Sequence, residues 1–282
     1  MEKINKLKKI FKREKIDGYI IPKNDEFFGE YIPEYKDRLK FISDFSGSYG
    51  FALILNSKNY LFVDGRYTLQ AEKQSGKLFK IKTIPQQLPR EFLKTKKLKI
   101  GFDAKLFTKK SLNFFFRKTN CKYIPLNKNL VDKIWIRKED RIKNKFFLLP
   151  KVSIGESYKS KINKIVNKLK KSGADFQFIT ASENNAWLLN IRGNDSKYTP
   201  IPNCYVLIDR KKNIKFFCDL KKVSNLFKKN FKKIEFVHIN YTSEILSKIH
   251  KKKVVIDKNT CSIYYENIIL KNNKIFVHQD PI

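Results

Sequence analysis

The sequence contains few residues of the types that most often act in catalysis. Its three histidines are His238, His250 and His278, and none has a second histidine at a metal-ligand spacing such as H-x-x-x-H. We therefore expect solvated or structural histidines. The cysteines lie far apart and form no C-x-x-C pair, which argues against a zinc site or a disulfide framework and favours a reducing compartment. They are Cys121, Cys204, Cys218 and Cys261.

One serine lies in a segment that could be confused with a catalytic nucleophile. Residues 46–50 read Ser-Gly-Ser-Tyr-Gly, which is similar to the G-x-S-x-G elbow of hydrolases. The elbow requires glycine at its first position and a helix after the serine, whereas this segment begins with serine and precedes an apolar strand pattern. Ser48 is therefore not expected to be a nucleophile. Because the chain has no Walker loop and no G-x-G-x-x-G after a strand, neither a phosphate-cradling loop nor a dinucleotide site is predicted.

Carboxylates in polar loops are the remaining candidates for acid, base or ligand chemistry. Asp44 and the pair Asp64-Gly65 could act in this way, but an aspartate that ends a strand more often caps a turn or a helix by accepting backbone N–H groups. A second polar cluster, residues 192–195, lies between apolar segments and precedes Pro200 and Pro202. A surface loop of this composition either binds something or braces a neighbouring domain.

The charge of the chain is extreme and bears on the choice of partner. The 282 residues include 61 Lys and Arg against 27 Asp and Glu, a formal charge of +34, yet only nine of the basic residues are arginines. Nucleic-acid readers rely on arginine for bidentate contacts, and the lysines here are scattered over helix faces and loops. This pattern favours a solvated, compositionally biased surface and predicts no specific nucleic-acid partner. Because of the charge, a polyanion-binding protein stays open as a hypothesis, beside the two that are given at the end of this section.

Length and apolar content indicate a folded protein of two domains. Hydrophobic residues make up 41% of the chain and aromatic residues 14%, which excludes a disordered chain. At roughly 100–200 residues per domain, the length suggests two domains. No apolar run approaches a membrane span, and the N-terminus mixes Glu with Lys instead of presenting an apolar signal core. We therefore expect a cytoplasmic protein with no membrane partner.

Hydrophobic periodicity predicts the elements of the first half. Ile4, Leu7, Ile10 and Phe11 recur at the spacing of one helix face, and a short buried strand at 18–22 and a polar loop follow. Two apolar runs separated by residues 56–59 indicate a hairpin. The expected order from the hairpin onward is strands at 51–55 and 60–63, a helix carrying Tyr67, Leu69 and Ala71, strands at 78–84 and 100–102, a helix at 112–116 and a strand at 123–126.

The second half repeats this order, which indicates a domain duplication. Asp64 and Asp219 each close a strand pair, and Asp103 and Asp257 occupy a second matched position, at offsets of 155 and 154 residues. Solenoid repeats have periods of only about 20–50 residues. The expected elements begin with a helix at 156–171, a strand at 176–179 and a helix through Trp187 and Leu188. A pair of strands at 205–208 and 214–218 follows. The last three strands, at 234–237, 254–256 and 275–277, are each preceded by a helix.

Alternating helices and strands with an inserted hairpin predict an α/β fold of two similar domains, each a mixed sheet flanked by helices. Between the two copies lies a segment of mixed charge that contains Pro150. The expected boundaries are 1–126 for domain one, 127–153 for the linker and 154–282 for domain two.

Several segments carry a resemblance to a known family. In the first domain they are Asp25-Glu26, Gly29-Glu30-Tyr31, Asp37-Arg38-Leu39, the sequence FSGSYG at 45–50 and the sequence FVDGRYTLQA at 62–71. These segments resemble the N-terminal domain of aminopeptidase P, the Xaa-Pro aminopeptidase of the creatinase-like metallopeptidase family. Residues 129–135 (NLVDKIW) look like the family's exit from domain one. Residues 187–195 (WLLNIRGND), followed by Pro200, look like its domain-two signature.

The resemblance implies two N-terminal domains of similar fold, in agreement with the duplication. Family members also carry a third domain, in which two Asp, one His and two Glu bind a pair of divalent metal ions of manganese type. This chain is expected to lack those ligands, because it stops at residues 280–282, where that domain would begin. We therefore expect no metal and no cofactor in this chain. Phe27 is a second departure, because members commonly have a histidine there, so a polar role at that position is not expected.

By this resemblance the chain is expected to be the non-catalytic N-terminal portion of a cytoplasmic Xaa-Pro aminopeptidase. The full-length enzyme would be a hydrolase that removes an N-terminal residue preceding proline. The implied partners are a second copy in a homodimer, the missing catalytic domain in cis or in trans and, for the full-length enzyme only, a peptide substrate. The alternative is a free-standing module for dimerisation or partner binding without peptidase activity.

The family's first two domains make subunit contacts and narrow access to the metal site, which suggests roles for two groups of residues. The first group is expected to form interface or access elements, and the second to brace the catalytic domain; no catalytic residue is expected. The alternative is a structural role, with a buried arginine bonded to turn carbonyls. The first group is Arg66 with Phe45, Ser46, Gly47, Ser48, Tyr49 and Gly50, and the second is Arg192, Gly193, Asn194 and Asp195.

Overall fold

A computed structural model describes residues 1–137, 144–231 and 233–280. The chain divides into two units, one formed by Met1–Glu26 and Ile32–Asp140 and the other by Phe27–Tyr31 and Arg141–Ile282. Each unit has its own apolar core. Part of the predicted linker, residues 138–143, lies outside the described residues, and the boundaries 1–126, 127–153 and 154–282 stay a prediction. Across the described ranges, no helix combines the length and the apolar character that crossing a membrane requires.

The first unit is built on one six-stranded sheet. Its strands are β1 (Gly18–Pro22), β2 (Gly50–Leu55), β3 (Asn59–Asp64), β4 (Lys80–Ile84), β5 (Lys99–Asp103) and β6 (Lys122–Leu126). The strand order is β4-β3-β2-β1-β5-β6. The pairs β1–β2 and β2–β3 are antiparallel, whereas β3–β4, β1–β5 and β5–β6 are parallel. The sheet is therefore mixed, with the predicted hairpin inserted beside its first strand.

Helices cover this sheet. They are α1 (Glu2–Glu14), α2 (Arg38–Ser43), α3 (Thr68–Ser75), α4 (Pro89–Leu93) and α5 (Lys109–Phe116). The face of α1 formed by Ile4, Leu7 and Phe11 is buried in one core with Tyr19 of β1 and Ile54 of β2. This burial is the reason that the apolar spacing in the sequence predicted the helix correctly.

The second unit repeats the arrangement. Its strands are β7 (Phe147–Leu148), β8 (Phe176–Ile179), β9 (Ile191–Arg192), β10 (Tyr205–Asp209), β11 (Ile214–Cys218), β12 (Ile234–His238), β13 (Lys253–Ile256) and β14 (Lys274–Val277). Its helices are α6 (Tyr158–Ser172), α7 (Ser182–Leu189), α8 (Asn225–Lys229), α9 (Thr242–Ser247) and α10 (Ile263–Asn272). The main sheet has the order β12-β11-β10-β8-β13-β14, and β7 and β9 form a separate antiparallel pair.

The two main sheets have the same topology. Each places its first strand between an antiparallel hairpin and a parallel pair, and the fourth strand extends the far edge of the hairpin in parallel. Both faces are covered, because alternate residues of β10 enter opposite cores: Val206 and Ile208 on one face, Tyr205 and Leu207 on the other. Strands covered on both faces need nearly continuous apolar sequences. The predicted fold class, two similar domains each with a mixed sheet flanked by helices, is confirmed.

Two short helices were not predicted. The polar loop expected after β1 contains α2, whose first residue, Arg38, is buried. A buried arginine breaks the apolar spacing by which a helix is recognised, and six residues are too few to establish a period. The other helix, α4, has five residues and begins at Pro89, where the fixed φ of proline suits the first helical turn.

Aspartates at equivalent strand ends bind backbone N–H groups in both units. Oδ1 of Asp103 accepts a hydrogen bond from the backbone N of Lys105 at 2.9 Å, and Oδ1 of Asp257 accepts one from that of Asn259 at 2.7 Å. The second oxygen of Asp257 accepts from the backbone N of Asp280 at 3.0 Å. These matched aspartates are therefore turn formers, the role that the sequence favoured for Asp44 and Asp64.

Asp280 is itself a buried carboxylate. Its side chain accepts a hydrogen bond from Asn184 Nδ2 at 2.8 Å. Burial, reinforced by the charge of Asp257, raises the pKa of Asp280 to about 6. Because this value lies above the ordinary pKa of aspartate, the folded state holds the proton more tightly than the unfolded state does.

The titration of Asp280 predicts a pH-dependent stability. The stabilisation that comes from the protonated form is present at low pH and is lost as the pH rises from about 4 through about 6. Replacing Asp280 with Asn should remove this component, which we expect to be about 1–3 kcal/mol. Urea denaturation at pH 4.5 and pH 7 measures it as the difference between variant and parent. A difference that is the same at both pH values would contradict the assignment.

The two separate cores predict where proteolysis begins. Leu130 and Val131 are buried in the core of the first unit, and Phe146 is buried in that of the second. Trypsin should therefore cut first between residues 127 and 153 and leave two resistant fragments, because residues within a core resist entry into a protease cleft. Mass spectrometry of the first products tests this. Early cuts inside residues 51–63 would argue against two separately folded units.

Candidate functional site

The loop of residues 45–50 connects α2 to β2, and the ring of Phe45 anchors it in the core. After α2 ends, Asp44 adopts the left-handed conformation, with φ of 63°. Phe45 is fully buried, and Gly47 lies directly against its ring, so a Cβ at this position would collide with the ring. The close approach explains the glycine. The loop is thus a fixed structure whose polar side chains project from a buried base.

Hydrogen bonds join this loop to α3. The backbone N of Ser46 donates to Oε1 of Gln74 at 3.0 Å, and Nε2 of Gln70 donates to Oγ of Ser46 at 2.8 Å. The hydroxyls of Ser48 and Tyr67 lie 2.7 Å apart. A serine bonded to a tyrosine hydroxyl lacks the adjacent base of an activated nucleophile. The arrangement is consistent with the expectation that Ser48 is not a nucleophile.

Arg66 lies beside this loop and is exposed. Asp64 ends β3, and its Oδ1 accepts from the backbone N of Arg66 at 3.0 Å and from Nε of the same side chain at 2.8 Å. These hydrogen bonds lower the pKa of Asp64. The side chain of Arg66 is 75% exposed, and its guanidinium lies 5.6 Å from the centre of the Tyr67 ring. The alternative of a buried arginine bonded to turn carbonyls is therefore wrong for Arg66.

Exposed side chains lie on the same segments as Arg66 and on the loop bonded to them. Tyr49 is 47% exposed and Leu69 is 87% exposed. Tyr49 directly precedes β2, opposite Asp64, and partial burial together with the charge of Asp64 raises its pKa. Arginine and tyrosine are enriched at protein interfaces. We call this area the Arg66 surface; it consists of Ser48, Tyr49, Asp64, Arg66, Tyr67 and Leu69.

The predicted cluster at residues 192–195 lies in the second unit and is tightly packed. Nη1 of Arg192 donates to the carbonyls of Ala186 at 3.2 Å and Ile191 at 2.9 Å. Gly193 is enclosed, because a Cβ there would lie 2.8 Å from the ring of Phe146 and 3.0 Å from Cα of Pro202. Arg192 therefore fits the structural alternative, an arginine bonded to carbonyl groups.

The last residue of this cluster, Asp195, is buried and paired. It forms an ion pair with Lys222, and its Oδ2 accepts from the backbone N of Asn203 at 2.7 Å. Between the enclosed Gly193 and the buried Asp195, Asn194 is exposed. Each contact fixes the path of the segment between β9 and β10. A rigid loop with one exposed amide results.

A buried charge network in the first unit was missed by the sequence analysis. Arg38, whose side chain is 4% exposed, donates through Nε to Oδ1 of Asp132 at 2.8 Å and through Nη2 to Oδ2 of Asp132 at 2.9 Å. The same Nη2 donates to Oε1 of Glu26 at 2.8 Å. Lys36 binds the other oxygen of Glu26 at 2.7 Å. The network joins the end of β1, the start of α2 and the segment after β6.

Opposite charges keep these buried groups ionised. Burial by itself would raise the pKa of the Glu26 carboxyl, but Lys36 and Arg38 together lower it far below its ordinary value. The sequence contained the residues, since Glu26 and Arg38 belong to the resemblance motifs. No local pattern connects them, however, because Arg38 and Asp132 are 94 positions apart. The one sequence signal for this network was the presence of Asp132, like Glu26 and Arg38, in a segment that resembles the family, here the exit from domain one.

Phe27 has an apolar role in the second unit, to which residues 27–31 belong. Its ring stacks on that of Tyr205 with centroids 5.2 Å apart, and Tyr31 contacts Tyr198 edge to face at 5.0 Å. An aromatic side chain at this position adds to the core and offers no metal ligand. The departure noted in the sequence is thus a packing residue.

The described residues do not fit a pair of metal ions. In residues 1–137, 144–231 and 233–280, no three side chains of His, Cys, Asp or Glu converge on a point where they could hold an ion. Two bridged divalent metals need several convergent carboxylates. The described residues therefore present no such set of ligands.

The contrast between the two arginines predicts their effects on stability. Replacing Arg38 with Met should lower the free energy of unfolding by about 2–4 kcal/mol, because Asp132 would lose its bidentate partner and Glu26 would lose one of its two cations. Replacing Arg66 with Met removes an exposed ion pair and should leave unfolding unchanged within error. Urea denaturation of both variants beside the parent measures the difference. Equal effects would contradict the buried-network interpretation.

Comparisons with known proteins agree with this architecture. Two protein-family models, each described as the creatinase/prolidase N-terminal domain, match residues 3–132 and 137–282. A probable Xaa-Pro aminopeptidase P of Laccaria bicolor is 32% identical over 100% of this chain and 46% of its own length. The Xaa-Pro aminopeptidase 1 of Dictyostelium discoideum is 29% identical over 96% of this chain and 46% of its own length.

A solved structure has the same fold. The X-prolyl aminopeptidase of Caenorhabditis elegans, described as a cytosolic enzyme with a di-nuclear active site, superposes with a TM-score of 0.89 at 24% identity. The match covers 99% of this chain and 50% of that one. The chain thus spans about half the length of the relatives it matches. With two matching models that together span nearly all of the sequence, the chain belongs to the creatinase/prolidase N-terminal domain family and contains two such domains in tandem.

Proposed function

We propose that the chain is the non-catalytic N-terminal portion of an Xaa-Pro aminopeptidase. The observation that supports this most is the tandem of two creatinase/prolidase N-terminal domains that aligns along its whole length with about half of an Xaa-Pro aminopeptidase P relative. In this proposal a further domain, joined in cis or supplied in trans, holds two divalent metal ions of manganese type. The complete protein then removes an N-terminal residue that precedes proline.

Within that enzyme, the role proposed for the Arg66 surface is contact with a second subunit or control of access to the active site. Nε of Arg66 is bonded to Asp64, whereas its two terminal nitrogens have no hydrogen-bond partner among the described residues. Asp64 therefore orients the guanidinium and leaves a planar fork of donors for a carboxylate or a carbonyl group. An oriented donor loses less side-chain entropy on binding than a free one.

For residues 192–195 the proposal is a support role. Arg192 and Asp195 are engaged inside their own unit, so they fix the loop instead of reaching outward. The exposed Asn194 is the residue proposed to contact the catalytic domain. A cytoplasmic location and a homodimer complete the proposal; the four unpaired cysteines fit a reducing compartment.

Activity measurements on two forms of the protein test the proposal. The chain alone should not release the first residue of an X-Pro peptide with or without manganese, because no group of described His, Cys, Asp or Glu side chains could hold a metal ion. A fusion to the catalytic portion of an Xaa-Pro aminopeptidase relative should be active. In the fusion, Arg66→Lys should lower turnover or dimer affinity by about threefold to tenfold, because lysine cannot present the planar fork.

The matched control is Arg210→Lys. Arg210 forms an exposed ion pair with Asp175 in the second unit, so the same chemical change is made away from the Arg66 surface. Metal-dependent turnover by the unfused chain would refute the non-catalytic role. If both substitutions reduce turnover and dimer affinity equally, or neither does, the proposed role of Arg66 is wrong. A stable dimer of the chain with an inactive fusion would favour the free-standing module.

A further inference from the structure

A cavity of about 440 Å³ in the second unit has a lining of unusual charge. It lies beside the first turns of α6, between the turn that joins β10 to β11 and the segment that follows α8. Four lysines border it, and two buried isoleucines form its base. The residues are Lys159, Lys212, Lys229 and Lys233 at the border, with Ile162 and Ile214 at the base. We call it the α6 cavity.

Among the described residues, no carboxylate lines the α6 cavity, although the second unit contains carboxylates that pair with other basic residues. Glu156 binds Lys164 at 2.8 Å, Glu244 binds Lys248 at 2.5 Å, and Glu235 binds Lys215. Among the described residues, none of the four bordering lysines has an ion-pair partner. Their placement therefore differs from that of lysines that are balanced by a neighbouring acid.

Four unbalanced ammonium groups around one cavity create a strongly positive potential inside it. Low-dielectric walls concentrate that field, and bound anions relieve the repulsion between the lysines. Lys159 lies in the first turn of α6, a helix of 15 residues, so the N-terminal end of this helix borders the cavity. The positive end of the helix dipole adds to the field there. The chemistry of the border thus suits an anion, and lysine is a common partner of phosphate.

The base of the cavity suits an apolar group. Ile162 and Ile214 are each 4% exposed, and the ring of Tyr158 lines one side, packed on Phe231 at 5.1 Å. The amides of Asn163 and Asn230 provide neutral polar contacts. The volume lies within the range of about 300–1,000 Å³ that is typical of small-molecule sites. A bare anion would use the border and leave the apolar base unfilled.

We propose that the α6 cavity binds a small phosphorylated compound with a flat apolar group, of the class of nucleoside diphosphates. The phosphates contact the four lysines, and the apolar group lies against the two isoleucines and Tyr158. This site is separate from the Arg66 surface and extends beyond the proposed peptidase role. It also distinguishes these lysines from the evenly distributed basic residues, for which a solvated surface is sufficient explanation.

Calorimetric titration of the full chain at 150 mM salt tests the proposal, with ADP, pyrophosphate and adenosine as probes. ADP should bind at least about tenfold more tightly than either of the other two, because it alone fills both the border and the base. The double variant Lys212→Gln and Lys229→Gln should weaken ADP binding by about tenfold or more, since each charge-assisted contact contributes strongly. The control pair, Lys170→Gln and Lys271→Gln, removes the same charge from exposed positions outside the cavity.

Three results would overturn the proposal. The first is equal weakening of ADP binding by the two double variants, which would mean that binding follows net charge alone. The second is equal affinity for ADP and pyrophosphate, which would mean that the apolar base is not part of the site. The third is no binding of ADP. Circular dichroism and melting curves confirm that each variant is folded. A substitution at the base, Ile214→Asn, provides a second check: if this variant is folded, ADP should lose its advantage over pyrophosphate.

Discussion

Burial of the Arg38 guanidinium is the constraint on which the first unit depends. A charge taken out of water is tolerated only when opposite charges and hydrogen bonds surround it. Asp132 binds it through two nitrogens, and Glu26 accepts a third hydrogen bond. These partners come from segments that are far apart in the chain, so the network fixes the end of β1, the start of α2 and the exit from the sheet at once. Because α2 leads directly into residues 45–50, the same constraint determines where the Arg66 surface lies.

The second unit has a corresponding internal cation with different chemistry. Lys161 on α6 is buried, and its Nζ donates to the carbonyl of Trp187 and to Oδ1 of Asn190, both at 2.7 Å. Burial lowers the pKa of Lys161. The partners of this ammonium group are neutral oxygens at the end of α7, whereas the partners of Arg38 are carboxylates. The contact places a cation at the negative end of a helix, which is favourable. It also holds α7 against α6, and thereby supports β9 and the loop at residues 192–195.

Two equal sheets have thus acquired different surfaces. In the first unit, the turn after β3 presents an oriented arginine beside exposed tyrosine and leucine side chains. At the equivalent turn of the second unit, Asp219 accepts from the backbone N of Lys221 in the same way, but the adjoining side chains are lysines. The backbone function of the aspartate is common to both copies. The side chains displayed beside it differ, because they are set by the one or two residues that follow.

The sequence alone determined the strands of the two six-stranded sheets, the longer helices, the duplication and the turn-forming role of Asp64, but not the short pair β7 and β9. Each of these depends on interactions between residues close in the chain: alternation of apolar side chains, helical periodicity, or a carboxylate next to its own backbone. It also indicated both candidate loops, through motif resemblance. The sequence did not determine the exposure of Arg66 or the partial burial of Arg192, since both are arginines in polar loops and differ only in what packs around them.

The tertiary structure decided which charges are buried and which surround an open space. Arg38 and Asp132 are 94 positions apart, and the cavity brings Lys159 of α6 together with Lys212 and Lys229, which lie more than fifty positions later in the chain. Helical and strand periodicities do not extend over such distances, and in a chain with 61 basic residues no single lysine or arginine is conspicuous. Only the folded sheets and helices fix those distances, because Coulomb and hydrogen-bond energies depend on separation in space and not along the chain.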